Sequence, residues 1–176
     1  DDIERVIPGF KDYNKRVREP GGFYLTNAVR EGNLKTKEFG DKAGFHIAGL
    51  PMHDIADDEY FMTTIRSHDQ FNTTIYGLDD RYRGIHKERR VIFMNPADVA
   101  RAGFKAGDKV DLISNFKGKQ RIARLFVIVP YNIPERNTAT YYPETIVLVP
   151  IDSVAEKSNT PTSKLVYIRI IRHQGQ

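Results

Sequence analysis

Cysteine is absent from the 176 residues. Its absence excludes disulfides, thiolate zinc sites, iron–sulfur ligation and cysteine nucleophiles within this chain. Tryptophan is absent as well, and methionine occurs only 3 times. No apolar run approaches the ~20 residues that span a bilayer, so membrane insertion is not expected. No G-x-G-x-x-G, G-K-[ST] or H-E-x-x-H string occurs. This removes the dinucleotide fingerprint, the phosphate-cradling P-loop and the zinc-protease helix. Gly118-Lys119-Gln120 is the nearest approach to a P-loop. Ser114-Asn115-Phe116-Lys117 fits S-x-x-K in letters only, because it sits at a hairpin rather than a helix start. The 5 histidines, at 46, 53, 68, 86 and 173, lack metal-ligand spacing. His53, beside Asp54 and Asp57, reads as part of a solvated loop. The chain opens on Asp1-Asp2 with no methionine, basic segment or apolar leader. It therefore reads as a piece of a longer protein without a signal peptide to discount.

What is present suffices for a packed domain: 40% of residues are hydrophobic and 28% charged. The net charge of +4 is unevenly spread. Residues 1–80 carry 10 basic and 15 acidic side chains, whereas residues 81–124 carry 12 basic and 4 acidic. A basic middle third suits a polyanion, a phosphate-rich cofactor or an acidic neighbouring domain, although composition alone favours a solvated basic face.

Residues 1–59 read as an extended arm with little core of its own. It holds a short helix near 12–18, stopped by Pro20-Gly21-Gly22. Residues 60–176 read as the domain proper. Strands are expected at 60–66, 91–94, 109–114, 121–129, 145–149 and 164–171. Asn95-Pro96-Ala97-Asp98 has the signature of a helix start, with Asn95 as N-cap and Pro96 at the first position. Gly103 suits the C-terminal cap, and Lys117-Gly118 a hairpin turn. Six short strands and one short helix predict a mainly β fold with α+β elements, a small barrel. No repeat of fixed period is visible.

The chemistry concentrates in residues 64–80, TIRSHDQFNTTIYGLDD. Arg66, Ser67, His68, Asp69, Gln70, Asn72, Thr73 and Thr74 follow one strand. They supply a guanidinium fork, hydroxyls, amides and an imidazole, a set suited to a polar heterocycle carrying phosphate. A polar surface loop is the plainer alternative.

Three strings carry a resemblance: IRSHDQFNTTIYGLDDRYRGI, VIFMNPADVARAGFKAGDKVDLIS and YYPETIVLVPIDSVAEKSNTPTSKLVYIRI. In this order they resemble the C-terminal domain of molybdopterin-dependent oxidoreductases of the dimethyl-sulfoxide-reductase superfamily, in particular its formate-dehydrogenase-like branch. IPGF, PGGFYL and FGDKAGF in the arm resemble the segment leading into that domain. The resemblance implies a double-psi six-stranded β-barrel, the last domain of a large catalytic subunit. It implies a bis(molybdopterin guanine dinucleotide) cofactor with molybdenum or tungsten. It also implies N-terminal catalytic domains of the same subunit as partners, which hold any iron–sulfur cluster. A small-molecule substrate belongs to the whole enzyme, and the fragment alone is expected to be inactive. Carried over to this chain, the cofactor contacts are Arg66, Ser67, His68, Gln70, Asn72 and Thr73, then Tyr142 and Glu144, and Ser163 and Lys164 from the PTSK block. Two departures stand out: Ile146 occupies the place of a polar Asn, and Arg136 that of a small residue.

Double-psi barrels also occur as non-catalytic modules that bind a protein or polyanion, and this is the alternative. Nucleic acid is not expected, since no RNP-type aromatic pattern is present. A self-processing decarboxylase barrel needs a Gly-Ser bond, and the sequence contains none. The cytoplasm is the expected compartment.

Overall fold

A computed structural model describes residues 2–7, 9–25, 40, 42, 44–70 and 77–175. The chain divides into two compact units, Asp1–Met52 and His53–Gln176. The first holds two short helices, α1 (Asp2–Val6) and α2 (Tyr13–Arg16). The expected helix near 12–18 is thus a single turn, entered from Asp12 in the left-handed region at φ 55°. Tyr13 lies 5.2 Å from Phe10 and 5.6 Å from Phe23, ring centroid to centroid, and Arg16 stacks over Phe23.

The second unit is a closed six-stranded barrel. Its strands are β1 (Glu59–Ile65), β2 (Val91–Met94), β3 (Lys109–Phe116), β4 (Lys119–Pro130), β5 (Asn137–Tyr141) and β6 (Val166–Arg172). Around the ring the order is β1-β5-β2-β4-β3-β6. β1–β5 and β2–β4 are parallel; the other pairs are antiparallel. Advancing every strand by three positions, β1 to β4 and so on, maps this ring and its strand directions onto itself. That internal two-fold is the double-psi arrangement. It recurs in individual residues. The Arg90 carbonyl accepts from Val127 N–H, and the Arg136 carbonyl from Phe61 N–H. The Arg90 guanidinium lies over Phe126 and bonds the Arg124 carbonyl. The Arg136 guanidinium lies over Tyr60 and bonds the carbonyls of Ala56 and Asp57. Arg136 therefore anchors the segment that enters β1, at the end of that strand away from Arg66.

Alternation dictates the core. Tyr60, Met62 and Thr64 of β1 point inwards, while all four residues of the short β2 are buried. Met62, Ile92, Met94, Val110, Leu112, Phe126, Ile128 and Ile168 fill the interior. Helix α3 (Pro96–Arg101) begins as expected. Asn95 Oδ1 accepts from Ala97 N–H at 2.8 Å, and its Nδ2 donates to the Ile133 carbonyl at 2.6 Å. Gly103 follows at φ 70°. Lys117 and Gly118 both have positive φ, the conformation of a tight two-residue hairpin between β3 and β4. Where β3 passes Val110, the register with β4 shifts, and Leu125 takes φ 62°. The buried Asp111 holds this bulge, accepting from Leu125 N–H and bonding His173 and Arg124.

One strand was expected in the wrong place. Residues 145–149 are not extended: α4 (Tyr142–Thr145) runs into a 3₁₀ turn, Ile146–Leu148. The β-branched run TIVLV suggests a strand, but Pro143 in the first turn presets helical φ. Burial then recurs at a spacing of three. Thr145 and Leu148 are fully buried, while Ile146 and Val147 face outwards. The true fifth strand is NTATY, unmarked by any large aliphatic side chain and almost wholly buried. This spacing predicts that Leu148→Ala destabilises the chain by about 2–5 kcal/mol in denaturant titrations. Val147→Ala changes stability by under about 0.5 kcal/mol.

Candidate functional site

The register brings four separated stretches to one rim. β1 and β5 are parallel with Ile65 beside Tyr141, so both strands end together. Residues 66–70 leave from one, and α4 from the other. β6 runs antiparallel to β1 with Val166 beside Met62, so Ser163 and Lys164 arrive at the same end. β2 runs antiparallel to β5, which places its entry, Arg89, there too. Direct bonds close the rim. Thr64 N–H donates to the Ser163 carbonyl at 3.1 Å, and Lys164 Nζ donates to the Thr64 carbonyl. Arg66 and Lys164 thus lie on one rim despite a separation of nearly a hundred residues in sequence.

The expected contact residues fall into two groups. Arg66, His68, Tyr142 and Lys164 are exposed on the rim, and Ser163 is half-buried. The His68 ring lies against Tyr82 with centroids 3.7 Å apart, and Arg81 covers the Tyr82 ring. Ser67, Gln70 and Glu144 instead turn inwards. All three meet Arg89, a residue that the sequence alone did not single out. Its guanidinium donates to Glu144 Oε1 at 2.7 Å, Ser67 Oγ at 3.2 Å, the Gly77 carbonyl at 3.2 Å and Gln70 Oε1 at 3.5 Å. It also lies 4.7 Å from the centre of the Tyr141 ring. Arg89 is 6% exposed, and the Glu144 side chain 15%. Its one sequence signal is a position two residues before a fully apolar strand, close enough to the core that a cation there has to be bonded internally or displaced. Asn72 and Thr73 lie outside the described residues. Ile146, in the place of the expected Asn, is 40% exposed.

A second buried cluster supports the same rim. Tyr141 Oη donates to Asp80 Oδ2 at 2.8 Å, Arg83 donates to the same oxygen, and Arg83 also donates to the Arg66 carbonyl at 3.2 Å. Burial pushes the Asp80 carboxyl upwards, but hydrogen bonds from Arg83 and Tyr141 outweigh it and hold the group below its ordinary value. Burial together with Asp80 pushes the Tyr141 phenol well above its ordinary value, so it remains a donor.

The arrangement offers exposed cations, an imidazole and phenol edges around one rim. Cations and donors of this kind hold phosphate, and flat aromatic groups hold a flat heterocycle. These residues therefore fit a pterin dinucleotide. Among the described residues, no group of His, Cys, Asp and Glu is arranged to hold a metal ion directly. Among them, too, no helix is long and apolar enough to cross a membrane.

Comparison with known proteins agrees with this fold. The family model of the molydopterin dinucleotide binding domain matches residues 60–166. An uncharacterized oxidoreductase of Mycobacterium tuberculosis (strain H37Rv) is 46% identical over 175 residues, covering 97% of this chain and 22% of that protein. Protein YdeP of Escherichia coli (strain K12) is 38% identical over 176 residues, covering 96% of this chain and 23% of its own length. The chain therefore spans between a fifth and a quarter of the length of these curated relatives.

The Asp80 cluster gives the rim an acid limit. The folded value lies below the unfolded one of about 3.9, so the stability Asp80 contributes is fully present above that pH and lost as pH falls through the folded value. Asp80→Asn is expected to lower the melting temperature at pH 7 and to flatten the acid limb of the stability–pH curve below about pH 4. Thermal melts between pH 2 and 7 check this.

Proposed function

The chain belongs to the molydopterin dinucleotide binding domain family, and from that premise we propose that it forms one wall of the cofactor cleft in a large oxidoreductase subunit. The cofactor is a bis(molybdopterin guanine dinucleotide) carrying molybdenum or tungsten. The single observation that carries this reading is the convergence of Arg66 and Lys164 on one rim, joined through Thr64. The Arg66 fork and the Lys164 ammonium offset the cofactor's negative charge. His68 and Tyr142 offer polar and aromatic edges to the pterin portions. When bound, the cofactor supplies two-electron redox chemistry at its metal; the residues of this chain bind, orient and shield it.

The family resemblance favours a formate-dehydrogenase-like reaction, and the relatives' length favours catalytic domains of the same subunit as partners, in a cytoplasmic setting. One wall cannot supply the affinity of a cleft built from several domains, so the fragment alone binds cofactor weakly and turns over no substrate.

In the full-length subunit, Arg66→Ala and Lys164→Ala are each expected to lower pterin and metal content. The loss of one charge-assisted contact weakens binding about tenfold. Both side chains are exposed, so the melting temperature of the barrel stays within about 1–2 °C of the parent. Pterin fluorescence after oxidation, with metal analysis, reads the result. Unchanged cofactor content in both variants would sink the assignment.

A further inference from the structure

Three of the residues that the resemblance assigns to the cofactor are turned inwards and bonded to Arg89. We propose that Arg89 is the positioning residue of the rim: its buried guanidinium locks residues 66–70 and α4 into one fixed frame, and Ser67, Gln70 and Glu144 act on that frame rather than on the ligand. This rests on the reading of the rim as the cofactor wall.

The geometry is specific to a guanidinium. One planar group meets acceptors from four places: Ser67 and Gln70 after β1, the Gly77 carbonyl further along, and both Glu144 oxygens on α4. A lysine ammonium has three donors on one atom and cannot span such a set. The charge count also matters. Glu144 neutralises Arg89 at 2.7 Å, so the pair adds little net attraction for an anion. What it supplies is placement. Arg89 bonds both Gln70 and the Gly77 carbonyl. Arg66 and His68 sit on either side of Ser67 in sequence, so a bond from Arg89 to the Ser67 hydroxyl limits where both can project. Tyr142 precedes Glu144 by two residues on a one-turn helix, so the same cation fixes its direction.

The test uses the full-length subunit and two readouts, amide hydrogen exchange and cofactor content. Arg89→Lys keeps a cation for Glu144 and loses the span. Exchange at 66–70 and 77–80 is expected to rise about tenfold, with β3, β4 and β6 unchanged, the signature of local rather than global opening. Pterin content falls alongside. The double variant Arg89→Met with Glu144→Met removes both buried charges together. Its melting temperature is expected to return close to that of the parent, because a buried ion pair is replaceable by apolar side chains. The fast rim exchange and low pterin content persist. Parent-like exchange at the rim in Arg89→Lys would overturn the proposal. So would a double variant that regains pterin content along with its melting temperature, which would make Arg89 a stabilising residue only. Failure of the cofactor reading looks different: Arg66→Ala then retains full pterin content, while Arg89→Lys still loosens the rim.

Discussion

The barrel depends on two parallel insertions. β5 slides in beside β1, and β2 beside β4, although neither pair is consecutive in the chain. A parallel neighbour cannot be reached by a tight turn, so each insertion requires a long crossover. The crossovers end at matching points, where an arginine carbonyl receives the N–H of the first partner residue in the parallel pairing and its guanidinium reaches back to carbonyls ahead of that pairing. These contacts define where the ladders begin. Once they are set, strand ends that lie far apart in sequence must come out at a common rim. The functional rim is thus a consequence of closure rather than of local loop design.

Gathering four strand ends leaves polar groups in poor contact with water. A buried Arg–Glu pair is seldom a net source of stability, because removing both charges from water costs several kcal/mol per ion. Arg89 and Glu144 are buried in a domain that already packs two apolar clusters. The pair has partners on each piece of the rim it touches, so register and placement explain it better than stability does. The Asp80–Tyr141–Arg83 cluster has the same character. It joins the end of β5 to the backbone at Arg66 through fixed hydrogen bonds.

Much of this was legible in the sequence, and the rest was hidden for definite reasons. The Asn95-Pro96 start is a local signal, because cap and first-turn chemistry need no tertiary context. β2, β3, β4 and β6 carry aliphatic runs that only strands or buried helices use. β5 carries none: NTATY is buried through Thr, Ala and Tyr, and its neighbour TIVLV looks more strand-like than it is. Pro143 was the discriminating residue. The internal two-fold has no fixed period, since Phe61 and Val127 lie 66 residues apart but Arg90 and Arg136 only 46. A periodicity search therefore misses it. In the rim, the exposed donors were legible as a polar loop after a strand. The inward turn of Ser67, Gln70 and Glu144 was not, because it depends on an arginine that reaches the rim only through barrel closure.

The basic stretch 81–124 shows why charge counts on their own mislead about partners. Its 12 basic side chains against 4 acidic ones suggest a positive face for a polyanion. In the fold, much of that charge is directed at the protein itself. Arg83 meets Asp80, Arg89 meets Glu144, Arg90 meets a backbone carbonyl, Arg101 meets Asp98 and Glu135, and Arg124 meets Asp111. Glu135, Glu144 and Asp80 all lie outside the stretch, so a window drawn along the chain counts the cations and omits their partners. Even Lys117, at the tip of the β3–β4 hairpin, pairs with Asp152 at 3.2 Å. An arginine answered by a buried carboxylate at hydrogen-bond distance has little field left for a distant polyanion. The cations available to a ligand are better sought where the fold leaves them exposed beside one another. On this barrel the exposed rim cations Arg66 and Lys164 lie outside the basic stretch, while Arg81, which covers Tyr82 and faces Asp69 at 3.7 Å, belongs to it.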